Sequence, residues 1–139
     1  MLCQILEYPN LEADDVLGIL ATQPQKKEER IICSLDKDLK QIPGKLSQDG
    51  RTIVKRSKTE CDWWHLIQTL TGDSVDGFSG CPSIGKVTAQ KILKDKKLPL
   101  RKQWELVVKA YEKQGLFEHD ALQQARVARI LRHGDYNMS

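Results

Sequence analysis

Acidic residues suited to binding divalent cations fall into three short groups along the sequence. Carboxylates that converge without cations repel one another, and some are driven to protonate. Mg²⁺ or Mn²⁺ removes that conflict, because both ions prefer carboxylate oxygens and retain several waters. Two such ions about 3.5–4 Å apart can stabilise the attacking and leaving oxygens of phosphodiester hydrolysis. The candidate ligands are Glu12, Asp14 and Asp15 in the first group, Asp36 and Asp38 in the second, and Asp73 and Asp76 in the third.

Each acidic group also has a purely structural interpretation. Acids in the first turn of a helix, as in the first group, interact favourably with the helix dipole. The second group is also typical of a solvated turn, and an acid of the third can cap the element that follows it. Spacing alone therefore leaves both the metal site and these structural roles open.

A second candidate site begins at Gly80, where the sequence has the pattern of a helix-hairpin-helix. Gly85 permits a tight turn and a close approach of the backbone to a phosphate. Free N–H groups at the start of the next helix can bind a phosphate oxygen. Lysines there add charge without reading bases, which predicts sequence-independent, salt-sensitive binding of DNA. The predicted DNA-contacting residues are Gly80, Ser83, Ile84, Gly85, Lys86, Thr88 and Lys91. A helix-turn-helix corner with a glycine cap is the alternative.

The charge distribution supports a polyanion-binding surface in the second half of the chain. Residues 1–79 carry 10 Lys and Arg against 13 Asp and Glu, whereas residues 80–139 carry 12 against 6. This asymmetry indicates an acidic site beside a basic surface, although chance and solubility explain it equally well. Arg126, Arg129 and Arg132 recur every third residue, which predicts one helical face that either contacts a DNA backbone or is simply solvated.

Size and composition exclude several classes of protein. With 139 residues, 40% hydrophobic and 29% charged, the chain is typical of one globular domain or part of one. No apolar run approaches the roughly 18 residues of a membrane helix, and no signal peptide precedes the first motif. We therefore expect a cytoplasmic protein without a membrane partner. The scattered cysteines contain no C-x-x-C pair, which favours buried thiols over structural zinc.

The periodicity of apolar residues predicts strands early in the chain and helices later. The predicted strands are Leu2–Tyr8, Arg30–Leu35 and Arg51–Lys55. A first helix is predicted to begin at Leu11, and four further helices are predicted at Cys61–Leu70, Lys86–Lys94, Trp104–Lys113 and Asp120–Leu131. This order indicates an α/β fold, with a partial parallel sheet and flanking helices followed by a helical helix-hairpin-helix region. We expect residues 1–71 to form the α/β metal-site region and residues 72–139 the DNA-binding region.

The predicted sheet explains how distant acids could meet. Ligand sites of open parallel sheets lie beyond the carboxyl ends of the strands. The second acidic group directly follows a strand, the first opens a helix at the same edge, and the third lies in a glycine-bounded loop. Trp63 has helical spacing with Leu66, Ile67 and Leu70, which predicts a core position for its ring.

In their order along the chain, these motifs resemble those of the structure-specific 5′ nucleases. That superfamily includes flap endonucleases, the N-terminal nuclease of DNA polymerase I and phage 5′→3′ exonucleases. Its acidic helix start is similar to Leu11–Asp15, its second metal motif to Ser34–Ile42, and its third metal motif, joined to a helix-hairpin-helix, to Thr71–Gly77 and Gly80–Ala89. The segments Asp62–Leu66 and Ala128–Arg132 are similar to the short phage branch.

The resemblance implies a PIN/5′-nuclease-like fold and a metal-dependent 5′→3′ exodeoxyribonuclease or flap endonuclease. It implies that the first acidic group serves one metal region and that the other two groups serve a second, with Asp36, Asp38 and Asp73 as the catalytic acids. Two Mg²⁺ or Mn²⁺ ions and a K⁺ ion at the hairpin are the implied cofactors. The implied substrate is duplex DNA with a 5′ end or flap, bound independently of sequence.

One departure from the superfamily pattern affects the expected activity. Members normally begin with a strand that bears a metal-binding aspartate, followed by a basic helical arch, and neither precedes Leu11 here. We therefore expect the C-terminal part of such a nuclease, with a second chain as a candidate source of the missing strands. The alternative is a non-catalytic duplex-binding module. The hairpin argues against a third interpretation, a divergent RNase.

Overall fold

The computed structural model describes residues 5–24 and 29–135, which fall into two compact units. The sheet unit comprises Met1–Lys58 and Ile130–Ser139, and the helical unit comprises Thr59–Arg129. The elements are α1 (Ala13–Thr22), β1 (Ile31–Cys33), a 3₁₀ helix (Lys37–Gln41), β2 (Gly44–Ser47), β3 (Val54–Arg56), α2 (Lys58–Thr71), α3 (Lys86–Ile92), α4 (Leu100–Lys113) and α5 (Glu118–Ala128). The predicted boundary after residue 71, between a metal-site region and a DNA-binding region, stays a prediction.

The sheet is mixed, which corrects the expectation of a partial parallel sheet. Its order is β1-β2-β3, with β1 parallel to β2 and β2 antiparallel to β3. The turn between β2 and β3 is short, and a short connection can only join antiparallel strands. Asp49 stabilises this turn by accepting hydrogen bonds from the amides of Thr52 (2.7 Å) and Arg51 (2.8 Å), and these bonds hold the pKa of the Asp49 carboxyl below its usual value.

Of the three predicted strands, one is confirmed, one begins later than predicted and one is wrong in its described part. The predicted strand at Arg30–Leu35 is confirmed by β1, where Ile32 is buried. Residues 5–8 form no regular structure, so the described part of the predicted strand at Leu2–Tyr8 is wrong, and residues 1–4 lie outside the described residues. The strand predicted at Arg51–Lys55 begins later, at Val54.

The core of the sheet unit includes a residue from near the end of the chain. Its buried members are Ile32, Leu39, Ile42, Leu46 and Ile130, with Leu17 and Ala21 of α1 packed against them. The Ile130 amide donates to the side-chain oxygen of Gln41 at 3.0 Å, and the Arg132 guanidinium donates to the carbonyl of Gln41 at 2.8 Å. Residues 130–132 are thus an integral part of this unit.

The predicted arginine stripe at the end of the chain is wrong as a single helical face. Helix α5 ends at Ala128, so Arg129 and Arg132 lie beyond it. Arg132 is only 6% exposed, because its guanidinium reaches the buried backbone of the sheet unit. Arg126 stays on α5 with an exposed side chain. Three aligned cations are therefore not available there for a DNA backbone.

The helical unit packs α2 to α5 around a core built on α2. Trp63 is 5% exposed and its indole N–H donates to the Leu93 carbonyl at 2.7 Å, which confirms its predicted core position. The Tyr111 hydroxyl donates to the buried Thr69 carbonyl at 2.6 Å, and burial raises the pKa of that hydroxyl. Other buried members of this core are Leu66, Ile67, Leu70, Cys81, Ala89, Leu93, Val107, Ala110 and Ala121.

The cysteines were predicted to be buried thiols, and this is confirmed for two of them. Cys61 and Cys81 are buried free thiols as expected, and burial raises the pKa of the Cys81 thiol. Cys33 is exposed instead, because its side chain lies on the face of β1 opposite the core. Cys3 lies outside the described residues.

Among the helices described here, none has both the length and the apolar character needed to cross a bilayer.

Candidate functional site

The first acidic group lies at the start of α1. Glu12 occupies the N-cap position without a side-chain capping bond, and Asp14 and Asp15 fall in the first turn. Asp15 has a defined structural contact, because its Oδ1 accepts a hydrogen bond of 3.0 Å from the Leu131 amide. Glu12 is exposed, whereas Asp14 and Asp15 are half-buried. Asp15 therefore connects the helix start to the last segment of the sheet unit.

The second acidic group follows β1 directly, at the carboxyl end of that strand. Asp36 is the N-cap of the 3₁₀ helix, and its Oδ1 accepts from the Asp38 amide at 2.9 Å. The Ser34 hydroxyl accepts from the Asp36 amide at 3.2 Å. Leu39, 1% exposed, anchors the same turn in the core. The two aspartates are therefore held in one rigid turn, Asp36 exposed and Asp38 half-buried.

The third acidic group lies in a closed loop of the helical unit. Asp73 and Phe78 exchange two backbone hydrogen bonds, of 2.8 and 3.1 Å, and the buried Phe78 ring anchors the loop. Within it, Asp73 Oδ1 accepts from the amides of Val75 at 2.9 Å and Asp76 at 3.4 Å. Asp73 is half-buried and Asp76 is exposed. Backbone hydrogen bonds thus orient the Asp73 carboxylate.

Both ends of this acidic loop are fixed by close backbone packing between two glycines. Gly72 and Gly80 have φ values of +69° and +67°. A Cβ on Gly80 would lie 2.3 Å from the Gly72 nitrogen, and one on Gly72 would lie 2.4 Å from the Ser79 carbonyl carbon. The Gly80 amide donates to Gln124 Oε1 at 2.8 Å. Sequence reasoning missed this role of Gln124, since nothing in the local pattern of α5 links it to a glycine 44 residues away.

The predicted hairpin is a tight turn that leads from Gly80 into α3. Its left-handed residue is Ser83, with φ of +63°, whereas Gly85 is an extended N-cap residue. A Cβ on Gly85 would meet no described atom within 4 Å, so this position is open to an approaching ligand. Ser83, Gly85, Lys86, Thr88 and Lys91 are all exposed, and Ile84 is half-buried. Gly80, at the start of this segment, is buried.

The structure brings together the acids of each group locally. Asp36 with Asp38 and Asp73 with Asp76 share a turn or loop, and the first group shares one helix start. In each of the three groups one carboxylate accepts a hydrogen bond from a backbone amide, which is a structural role. A carboxylate has about four lone-pair sites, however, and can also bind a cation. Convergence of the groups on one metal centre stays a prediction.

The contact between Asp15 and Leu131 can be measured through stability. Replacing Asp15 with alanine leaves the half-buried Leu131 amide without its side-chain acceptor, which costs about 1–2 kcal/mol of unfolding free energy. Asp15→Asn retains an acceptor and loses only the favourable interaction with the helix dipole, about 0.3–1 kcal/mol. Urea denaturation is expected to show that the Asp15→Ala variant is clearly less stable than the Asp15→Asn variant. Equal losses would contradict a contribution from this hydrogen bond.

The chain is similar in sequence to several known nucleases. It is 34% identical to the exodeoxyribonuclease of Enterobacteria phage T3 over 95% of this chain and 54% of that protein. The exonuclease of Escherichia phage T7 has the same identity and coverage, so the chain spans about half the length of the curated relatives it matches. A 5′-3′ exonuclease of Buchnera aphidicola is 34% identical over 65% of this chain and 33% of its own length.

The match also extends to longer enzymes. The thermostable DNA polymerase I of Thermus aquaticus is 35% identical over 65% of this chain, but over only 12% of that polymerase. No protein-family model matches the chain. The names of these relatives confirm the resemblance to the structure-specific 5′ nucleases that the acidic motifs and the hairpin predicted, including the phage branch.

Proposed function

Because this chain is homologous to members of the structure-specific 5′ nuclease superfamily, we propose that it cleaves DNA phosphodiesters from a 5′ end or flap. The substrate is duplex DNA, bound without regard to sequence, and the reaction depends on Mg²⁺ or Mn²⁺. The observation that supports this proposal most directly is the 34% identity to two phage exonucleases over 95% of this chain. The proposed place of action is the cytoplasm, that of the bacterial host if a phage encodes the chain.

The chemistry of the donor set fits a hard divalent cation. All proposed ligands offer carboxylate oxygens, and each of the acids is exposed or half-buried rather than sealed in a core. The proposed ligands are Glu12, Asp14, Asp15, Asp36, Asp38, Asp73 and Asp76. When bound, the cations supply positive charge against the scissile phosphate and lower the pKa of an attacking water.

The residues of the chain have distinct roles in this proposal. Asp36, Asp38 and Asp73 are the proposed catalytic acids, and their turns limit the directions in which the carboxylates can point. Gly80, Ser83, Ile84, Gly85, Lys86, Thr88 and Lys91 are the proposed DNA contacts. The open space at Gly85 allows a phosphate to approach the backbone. A K⁺ ion bound at the turn is a further proposed cofactor. Contacts of this kind position the duplex without reading its bases.

A non-catalytic, duplex-binding module is the second candidate function. It is favoured by the structural use of Asp15, Asp36 and Asp73, each of which already accepts a backbone hydrogen bond. In that case the acids would only stabilise turns, and the hairpin would bind DNA without cleaving it. A partner chain that supplies further strands is compatible with the catalytic proposal.

The two candidates are separated by an assay on 5′-tailed duplex DNA. With Mg²⁺ or Mn²⁺, the chain is expected to release short 5′ products, and EDTA is expected to abolish the release because the proposed acids act only through bound cations. Gel electrophoresis of end-labelled substrate measures the products, and fluorescence anisotropy measures binding in parallel. Binding without any metal-dependent turnover would contradict the catalytic proposal and support the binding module.

A further inference from the structure

A groove with an apolar floor and a basic rim lies in the helical unit, next to the predicted hairpin. It has a volume of about 440 Å³ and runs between the turn that precedes α3 and the second half of α4. Ile84 and Leu106 contribute to its floor. Its rim carries the hydroxyls of Ser83 and Thr88, together with lysines of α4 that the sequence analysis did not single out.

Two lysines give this rim its positive charge. Lys109 and Lys113 are four residues apart on α4, so they lie on the same face, about 6 Å apart along the helix axis. Both side chains are exposed, and within residues 29–135 neither forms an ion pair. Lys102, on the same helix, pairs with Glu105 at 3.5 Å. Neither lysine of the groove is therefore held in an ion pair by a described acid.

The lining of the groove matches the backbone of a DNA duplex better than unpaired bases. Ammonium and hydroxyl groups are donors that bind phosphate oxygens. None of the described residues that line the groove is aromatic, so they offer no stacking platform of the kind that single-stranded binding sites use. The spacing of Lys109 and Lys113 corresponds to about two steps of one strand, at roughly 3.4 Å each.

We infer that Lys109 and Lys113 bind two phosphates of one strand of the duplex that the hairpin holds. The contact surface then extends from the turn at Ser83 and from Thr88 of α3 onto the second half of α4. This inference rests on the proposed function, because it assigns further contacts to the same DNA substrate. It predicts that α4 contributes to affinity and salt dependence and makes no contribution to base preference.

The test is the salt dependence of duplex binding by the full chain. Replacing Lys109 and Lys113 together with alanine is expected to reduce the slope of log K against log salt by about 1.8, since each phosphate contact contributes about 0.9. At about 0.1 M salt this corresponds to a loss of affinity of roughly 10- to 60-fold. Fluorescence anisotropy with a blunt, labelled duplex measures both quantities, and a single strand of the same sequence is the comparison ligand.

Two further variants control for net charge and for folding. Lys94→Ala with Lys97→Ala removes the same charge from exposed positions that do not line the groove, and a change below about threefold is expected. Lys109→Arg with Lys113→Arg keeps both charges and is expected to keep the wild-type slope. If the alanine pair at 109 and 113 behaves like the control pair, the inference is overturned.

Other outcomes separate the inference from the proposed function. If Lys86→Ala with Lys91→Ala weakens duplex binding while the α4 variants do not, the hairpin proposal stands and the α4 contact is wrong. A loss confined to the single strand would also overturn the duplex assignment. If the wild-type chain binds no duplex at all, both the binding role and this extension of it fail.

Discussion

Replacing Asp36 with asparagine is expected to abolish metal-dependent cleavage and leave duplex binding within about threefold. An asparagine can still accept the hydrogen bond from the Asp38 amide through its side-chain oxygen, so the turn after β1 keeps its geometry. It lacks the negative charge that a divalent cation requires. Loss of about 4 kcal/mol of transition-state stabilisation corresponds to a fall in rate of about 10³-fold. Single-turnover cleavage and anisotropy measure the two effects separately.

Asp49 provides a matched control for this substitution. It lies in the same unit and also accepts hydrogen bonds from backbone amides, those of Arg51 and Thr52, but it belongs to none of the acidic motifs. Asp49→Asn is therefore expected to weaken a turn and retain cleavage below the unfolding temperature. Retained cleavage by a clean preparation of Asp36→Asn would contradict the catalytic role of Asp36. Equal losses in both variants would indicate a purely structural effect.

The second large effect is expected when Gly80 is replaced by alanine. A Cβ there would lie 2.3 Å from the Gly72 nitrogen, and neither backbone segment can move away easily because the Cys81 amide donates to the Leu70 carbonyl at 2.9 Å. The left-handed backbone adds about 1–2 kcal/mol, and overpacking adds about 1–3 kcal/mol. A total loss of about 2–5 kcal/mol of unfolding free energy is expected, measured by urea denaturation.

Gly77 separates the two contributions to this loss. It also has a positive φ, +79°, but a Cβ there would meet no described atom within 4 Å. Gly77→Ala is therefore expected to cost only the backbone strain, about 1–2 kcal/mol. If Gly80→Ala and Gly77→Ala lose the same free energy, close packing of Gly72 against Gly80 contributes nothing to stability.

Elements with a long apolar stripe were predictable from the sequence, whereas short elements were not. Helix α2 shows helical spacing of Trp63, Leu66 and Leu70, and the structure extends the prediction by three residues at the start and one at the end. Strand β2 was missed because Gly44–Ser47 contains a single large apolar residue, Leu46. Its strand conformation comes from pairing with β1 and β3, which is tertiary information.

The candidate site was predictable as a set of motifs but not as a set of contacts. The order of acids and glycines was enough to indicate the superfamily. The contact of Asp15 with Leu131 joins residues 116 apart in sequence, so no local pattern could reveal it. The arginine stripe failed for a similar reason, since Arg132 is fixed by the backbone of Gln41 and not by a helical period.

The path of the chain has a consequence for the order in which the protein forms during synthesis. The helical unit is inserted between two pieces of the sheet unit, and Ile130, 7% exposed, completes the sheet core. A ribosome has therefore made all of Thr59–Arg129 before the residue that closes the first core emerges. Domains fold as units as they are synthesised, so the inserted helices can fold first, and the earlier strands β1 to β3 must wait until Ile130 has emerged.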